Sequence, residues 1–141
     1  MNRERMDAYG LAEARLSATM SKDPSTQVGA AVLRPDGTLA SKGWNGFPRG
    51  VADTPDRLND RAVKYEIVVH AELNALLTAR EPLAGCTIYT TLHPCSRCAA
   101  CIIQAGIRRV VTVASDNPRF ADSFKLAADL FAEAGVALDI Y

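Results

Sequence analysis

His70, Glu72, Cys95 and Cys98 are the residues whose types and spacing suit them to chemistry. His70-Ala71-Glu72 and Pro94-Cys95-Ser96-Arg97-Cys98 each open a predicted helix that follows a strand or loop. Neighbouring helix N-termini can bring His70, Cys95 and Cys98 to one point. One imidazole and two thiolates make a good zinc donor set, and three protein ligands leave a fourth position for water, as catalytic rather than structural zinc requires. The partial positive charge and free N–H groups of a helix N-terminus stabilise the thiolates of Cys95 and Cys98. Two thiolates also cancel the formal charge of the ion, so water there is less acidified than at an all-histidine site and needs a base. Glu72, two residues from His70, is placed to be that base without ligating the metal. The backbone N–H of Ala71, beside Glu72, can hold a ligand, and its short side chain allows close approach.

Other readings of the same residues stay open. A Cys-x-x-Cys pair can be a redox pair or half of a structural zinc knot. A knot needs a fourth ligand, and His93 could supply it only awkwardly because Pro94 separates it from Cys95. His93 is therefore expected on a pocket wall, facing substrate. Cys86 and Cys101 are expected to be buried as small apolar side chains. With three cysteines inside seven residues, metal binding is favoured over a disulfide framework.

The elements that must position these residues follow from pattern. Residues 2–20 have apolar side chains near helical spacing and end at Ser21-Lys22-Asp23-Pro24. Val28–Leu33 and Thr38–Gly43 read as a hairpin turned by Pro35-Asp36-Gly37. Asn45–Lys64 is polar and reads as loop, long enough to be functional. A helix is expected over His70–Arg80, a strand over Thr87–Thr91, and a helix over Cys95–Gln104 stopped by Gly106. A buried-type strand at Val110–Ala114, a helix over Ser123–Ala134 and a strand over Val136–Ile140 complete the chain. Strands alternating with helices after a hairpin imply an α/β fold in three α-β-α layers, with a mixed five-stranded sheet covered on both faces. The length of 141 residues suits one domain spanning 1–141.

His-x-Glu followed by Pro-Cys-x-x-Cys matches the signature of zinc nucleobase deaminases. The segments Ser21–Ala30, Gly43–Gly50, His70–Ala75 and Ile102–Ile107 narrow the resemblance to the deoxycytidylate deaminase family, over nearly the whole chain. That resemblance implies the cytidine-deaminase fold with strand order 2-1-3-4-5 and hydrolysis of dCMP to dUMP and ammonia. It also implies Zn2+, a hexamer, and dCTP and dTTP as effectors. Asn45 resembles the family's sugar-binding asparagine. Ser25, Thr26, Lys22 and Arg49 are candidates for the 5′-phosphate, which favours guanidinium, ammonium and hydroxyl donors. The family often places a Tyr-His pair after Ser-Asp in the loop leaving the fourth strand, where this chain has Asn117-Pro118-Arg119-Phe120. The implied mechanism is attack of water on C4 of cytosine, with Glu72 passing one proton to N3 and a second to the departing amine.

Composition bounds the rest. Sixteen basic residues balance sixteen acidic ones, so no broad field draws nucleic acid or an anionic membrane. No apolar run is long enough to span a bilayer and the N-terminus does not resemble a leader, so the protein is expected to be cytoplasmic. With charge balanced and aromatics few, a small-molecule nucleotide is expected as substrate rather than a tRNA or single strand. CMP, a modified cytosine nucleotide, a purine or another free base or nucleoside remain alternatives, as does a catalytically silent nucleotide-binding subunit.

Overall fold

The computed structural model describes residues 2–141. Its elements run α1 (Arg3–Ala18), β1 (Gly29–Leu33), β2 (Leu39–Trp44), α2 (Pro55–Asn59), α3 (Arg61–Ile67), α4 (Ala71–Thr78), β3 (Thr87–Thr90), α5 (Ser96–Gln104), β4 (Arg109–Thr112), α6 (Ala121–Ala134) and β5 (Ala137–Ile140). The sheet order is β2-β1-β3-β4-β5, as the resemblance implied. β1 runs antiparallel to both β2 and β3, whereas β3, β4 and β5 are parallel.

Alternating side chains divide the core in two. Ala31, Leu33, Tyr89 and Val111 face α1, where they meet Leu11 and Ala14. Ala30, Val32, Ile88 and Val110 face the other way, onto Ala71, Ala75, Ala99, Ile102, Ala127 and Phe131 from α4, α5 and α6. A sheet buried on both faces needs apolar residues pointing both ways, which Ala30–Leu33, Ile88-Tyr89 and Val110-Val111 supply. Two glycines let the helices sit close. A Cβ on Gly29 would lie 1.8 Å from the Ala14 carbonyl oxygen, and one on Gly43 would lie 2.5 Å from the Ala75 nitrogen. Gly43 thus allows α4, whose first turn carries Glu72, to rest directly on β2.

The segment read as loop, Asn45–Lys64, is the main correction. It contains α2 and the start of α3. Thr54 accepts the Arg57 N–H at 3.4 Å with Pro55 opening the helix, and Asp60 accepts the Ala62 N–H at 3.1 Å. Both are ordinary N-terminal capping signals, hidden among polar residues that lack an apolar stripe. Cys101 is a second correction, because it is exposed. The buried stripe of α5 is Cys98, Ala99 and Ile102. At ~100° per residue, Cys101 lies roughly 100° round the helix from the centre of that stripe.

Candidate active site

The site sits at one end of the sheet, where the chain enters β1 and leaves β2, β3 and β4. α4 begins there because a short bridge holds the residue before it. The Gly46 and Val69 backbones exchange hydrogen bonds of 3.1 and 2.8 Å, and the Asn74 side chain donates to the Trp44 carbonyl at 2.7 Å. His70 is the N-cap of α4 but makes no side-chain cap, which leaves its imidazole available. Cys95 is the N-cap of α5, and its sulfur accepts the Cys98 N–H at 3.5 Å. The first turn of α5 is held to α6 by the Ser96 N–H donating to the Ser123 hydroxyl at 3.0 Å.

Those two caps bring three donor atoms together. His70 Nδ1 lies 3.5 Å from Cys95 Sγ and 3.3 Å from Cys98 Sγ. The donor atoms of the three residues all lie within 4.8 Å of one another. A tetrahedral zinc ion with Zn–S of ~2.3 Å and Zn–N of ~2.0–2.1 Å sets adjacent donors roughly 3.5 Å apart. Both the spacing and the chemistry of this donor set fit zinc. In the absence of metal the two sulfurs share a proton. Hydrogen bonding from the Cys98 thiol, aided by His70 and the Cys98 N–H, outweighs burial and lowers the Cys95 thiol. The same bond to Cys95, together with burial, raises that of Cys98, contrary to the expectation of two equally stabilised thiolates. A thiolate is therefore favoured at Cys95 by its surroundings alone.

Glu72 follows on the first turn of α4, with only 4% of its surface exposed. Burial pushes its carboxyl up to about 7, against weaker pulls from its own backbone and from His70. A carboxyl poised near neutrality can take a proton and give it back. Both Glu72 and Ala71 line a cleft of about 290 Å³ with His70 and Cys95. Ser25, Thr26, Asn45 and His93, all singled out in the sequence, line the same cleft.

The roles open to these residues are set by contacts they already make. Asn45 is 7% exposed, and its amide is engaged with the backbone, accepting the Val28 N–H at 2.8 Å and donating to the Thr26 carbonyl at 2.9 Å. It shapes the cleft wall and keeps one acceptor lone pair to offer. The His93 ring nitrogen Nδ1 lies 2.9 Å from the Pro94 carbonyl, which can only accept, so Nδ1 carries the hydrogen. The His93 ring stacks on Phe124 at 4.8 Å. Lys22 and Arg49 are not brought into the cleft. Lys22 points outward and pairs with Asp53 at 3.2 Å. Arg49 lines a separate groove with Trp44 and Phe47.

The structure adds cleft residues that sequence reasoning missed: Asp23, Arg61, Lys64 and Arg119. Asp23 accepts N–H bonds from Ser25 at 2.8 Å and Thr26 at 3.1 Å, and the Lys64 ammonium meets the same oxygen at 2.9 Å. This buried pair fixes the turn that carries Ser25 and Thr26. Arg61, Lys64 and Tyr65 are spaced i, i+3, i+4, so the capping signals at Thr54 and Asp60 would have revealed them as one helix face.

Comparison with known proteins shows the family. Residues 4–114 match the family model for the cytidine and deoxycytidylate deaminase zinc-binding region. The chain is 42% identical to human deoxycytidylate deaminase over 134 residues, covering 91% of this chain and 75% of the human one. It is also 42% identical over 126 residues to an uncharacterized deaminase in the luxG 3′ region of Aliivibrio fischeri, covering 87% of this chain and 84% of that protein. Among solved structures it is similar to dCMP deaminase from cyanophage S-TIM5 in complex with dCMP and dUMP. That likeness has a TM-score of 0.79 and 28% identity, and covers 100% of this chain and 99% of the other.

Proposed function

Because this chain belongs to the cytidine and deoxycytidylate deaminase family, we propose that it hydrolyses dCMP to dUMP and ammonia with zinc as its cofactor. The observation that carries this reading is the His70 Nδ1, Cys95 Sγ and Cys98 Sγ cluster, whose His70 and Cys95 line one cleft with a buried Glu72. The single unit 1–141 holds the whole constellation.

His70, Cys95 and Cys98 would hold the zinc ion, which would supply Lewis acidity toward water near neutral pH. Glu72 accepts the proton that water loses as its oxygen bonds to C4. Glu72 then passes that proton to N3, so the ring takes up the attack without charge. It carries the second water proton to the amine on C4, the C–N bond breaks, and ammonia departs as the C4 carbonyl forms. The balance is one water in and one ammonia out. In the metal-free protein burial raises the Glu72 carboxyl, a setting suited to a group that must both take and give a proton. Ala71, buried at the N-terminus of α4, lines the cleft beside Glu72 and offers its N–H and minimal bulk to the pyrimidine edge. His93 and Asn45 complete the walls for base and sugar, and the Ser25 and Thr26 hydroxyls face the anionic tail.

The enzyme is further read as a cytoplasmic hexamer that responds to dCTP and dTTP. Exposed Leu16, Met20 and Leu77 support self-association. No helix among the described residues is long and apolar enough to cross a membrane. The test of the main reading is ammonia release from dCMP by zinc-loaded protein, repeated after chelation and after zinc is restored. Activity that falls with the zinc and returns with it supports the assignment. A zinc-replete protein inert toward dCMP overturns it.

A further inference from the structure

Resting on the dCMP reading above, we propose that Arg119 is the residue that reads the substrate's 5′-phosphate and so selects nucleotide over nucleoside. The net charge of the chain is zero, so a phosphate must be met by a local cation. Three cationic side chains line the cleft: Arg61, Lys64 and Arg119. Lys64 is committed, buried against Asp23 at 2.9 Å. Among the described residues, neither Arg61 nor Arg119 is paired with a carboxylate.

Arg119 is the one of these two that the structure holds in place. It lies on a 3-10 turn at Pro118–Phe120, which the Asn117 side chain caps by accepting the Arg119 N–H at 3.1 Å. Its guanidinium carbon stands 4.7 Å from the centre of the Tyr65 ring and 5.4 Å from that of Phe120, and Nη2 donates to the Tyr65 hydroxyl. A guanidinium stacked on aromatic rings keeps its charge and loses little freedom when it binds. One N–H goes to Tyr65, which leaves the rest of the planar fork for a phosphate's paired oxygens. The Ser25 and Thr26 N–H groups are spent on Asp23, so those residues can add only hydroxyls to the same anion. Both arginines are exposed, and Arg61 makes no such anchoring contact among the described residues.

The test compares dCMP with deoxycytidine on zinc-loaded Arg119→Ala, Arg119→Lys and Tyr65→Ala proteins. For Arg119→Ala, KM for dCMP is expected to rise roughly 10- to 100-fold, the scale of a lost charge-assisted contact, with kcat nearly kept. Turnover of deoxycytidine should be unchanged. Where nucleoside turnover is too slow to follow, inhibition by dUMP and by deoxyuridine gives the same contrast. Arg119→Lys should recover part of the loss, because it restores charge without the fork. Tyr65→Ala should raise KM for dCMP by less, since it removes only the platform. A KM for dCMP within twofold of wild type, or an equal loss on nucleoside and nucleotide, overturns the role of Arg119. Wild-type protein inert toward dCMP sinks the parent reading instead, a result visible before any variant is made.

Discussion

Glu72 and Asp7 are both buried carboxylates, at opposite faces of the sheet, and their surroundings drive them in opposite directions. Asp7 is 1% exposed, yet although burial pushes its carboxyl up, hydrogen bonds from Arg109, Tyr141 and Tyr89 hold it below the ordinary range. Arg109 grips it with two bonds of 2.7 Å, while Tyr89 donates at 2.9 Å and Tyr141 at 2.6 Å. Glu72 has no comparable donors, so burial prevails and its carboxyl rises to about 7. Burial alone therefore does not make a reactive acid. The supply of donors decides whether a buried carboxylate becomes a fixed charge that joins α1 to β3, β4 and the C-terminus, or a proton carrier.

The sharpest way to break this contrast is to remove each acid in turn. Glu72→Gln is expected to lower kcat for dCMP at least a hundredfold, within the range for loss of a general acid–base group. Zinc content and melting temperature should hold, because Glu72 is no ligand and anchors nothing. Ammonia release and metal analysis on the same sample check both halves. Substantial remaining turnover would remove Glu72 from its role. Asp7→Asn should do the reverse. It leaves buried Arg109 with only the half-exposed Asp139, at 2.7 Å, as a carboxylate partner, and breaking one side of a buried ion pair costs about 3–5 kcal/mol. Denaturant titration should show that loss, while kcat per folded molecule stays near wild type.

Lys64 tests the boundary between the two kinds of region, because its pair with Asp23 is structural but lies inside the cleft. Lys64→Met fills similar volume and leaves Asp23 with only N–H donors. Stability should fall by about 1–3 kcal/mol, less than for Asp7→Asn because two backbone donors remain. KM for dCMP should rise several-fold, since the turn bearing Ser25 and Thr26 loses its clamp. A KM unchanged alongside a clear loss of stability would make the pair a purely structural one.

Much of this was legible in the sequence, and the pattern of success has a physical reason. His70, Glu72, Cys95 and Cys98 could be singled out together because two short motifs at helix starts carry their own geometry, and the fold brings them close to one another. The sheet order came through resemblance and the strands through apolar runs. The cleft's other wall was not legible, because Asp23, Arg61, Lys64 and Arg119 come from three separated segments that only the folded chain unites. Lys22 and Arg49 looked equally suitable as cations, but side-chain type does not say which way a loop faces. Lys64 stands in the same position, since in sequence it is one more charge in a polar stretch.

The smallest expected effect concerns acid stability, where the sign follows from the same contrast. Asp7 and Asp23 both have carboxyls held below their ordinary value of 3.8, Asp23 because Lys64 and the Thr26 and Ser25 N–H groups outweigh burial. A carboxyl lowered on folding binds its proton less readily in the native state than in the unfolded one. Its contribution is complete above 3.8 and is lost as pH falls through the lower native value. Wild-type protein should therefore lose stability as pH falls below 3.8, and Asp7→Asn should flatten that limb while lying below it in stability at neutral pH. Glu72 acts in the other sense in metal-free protein. Its carboxyl is raised from 4.5 to about 7, so its burial costs stability as pH climbs through that interval and nothing at lower pH. Glu72→Gln should accordingly leave the acid limb in place and stabilise the metal-free protein at neutral pH. Denaturant titrations from pH 3 to 8 on chelated samples would separate the two. An acid limb flattened by Glu72→Gln and untouched by Asp7→Asn would invert the assignment of which carboxylate is fixed and which is free to exchange its proton.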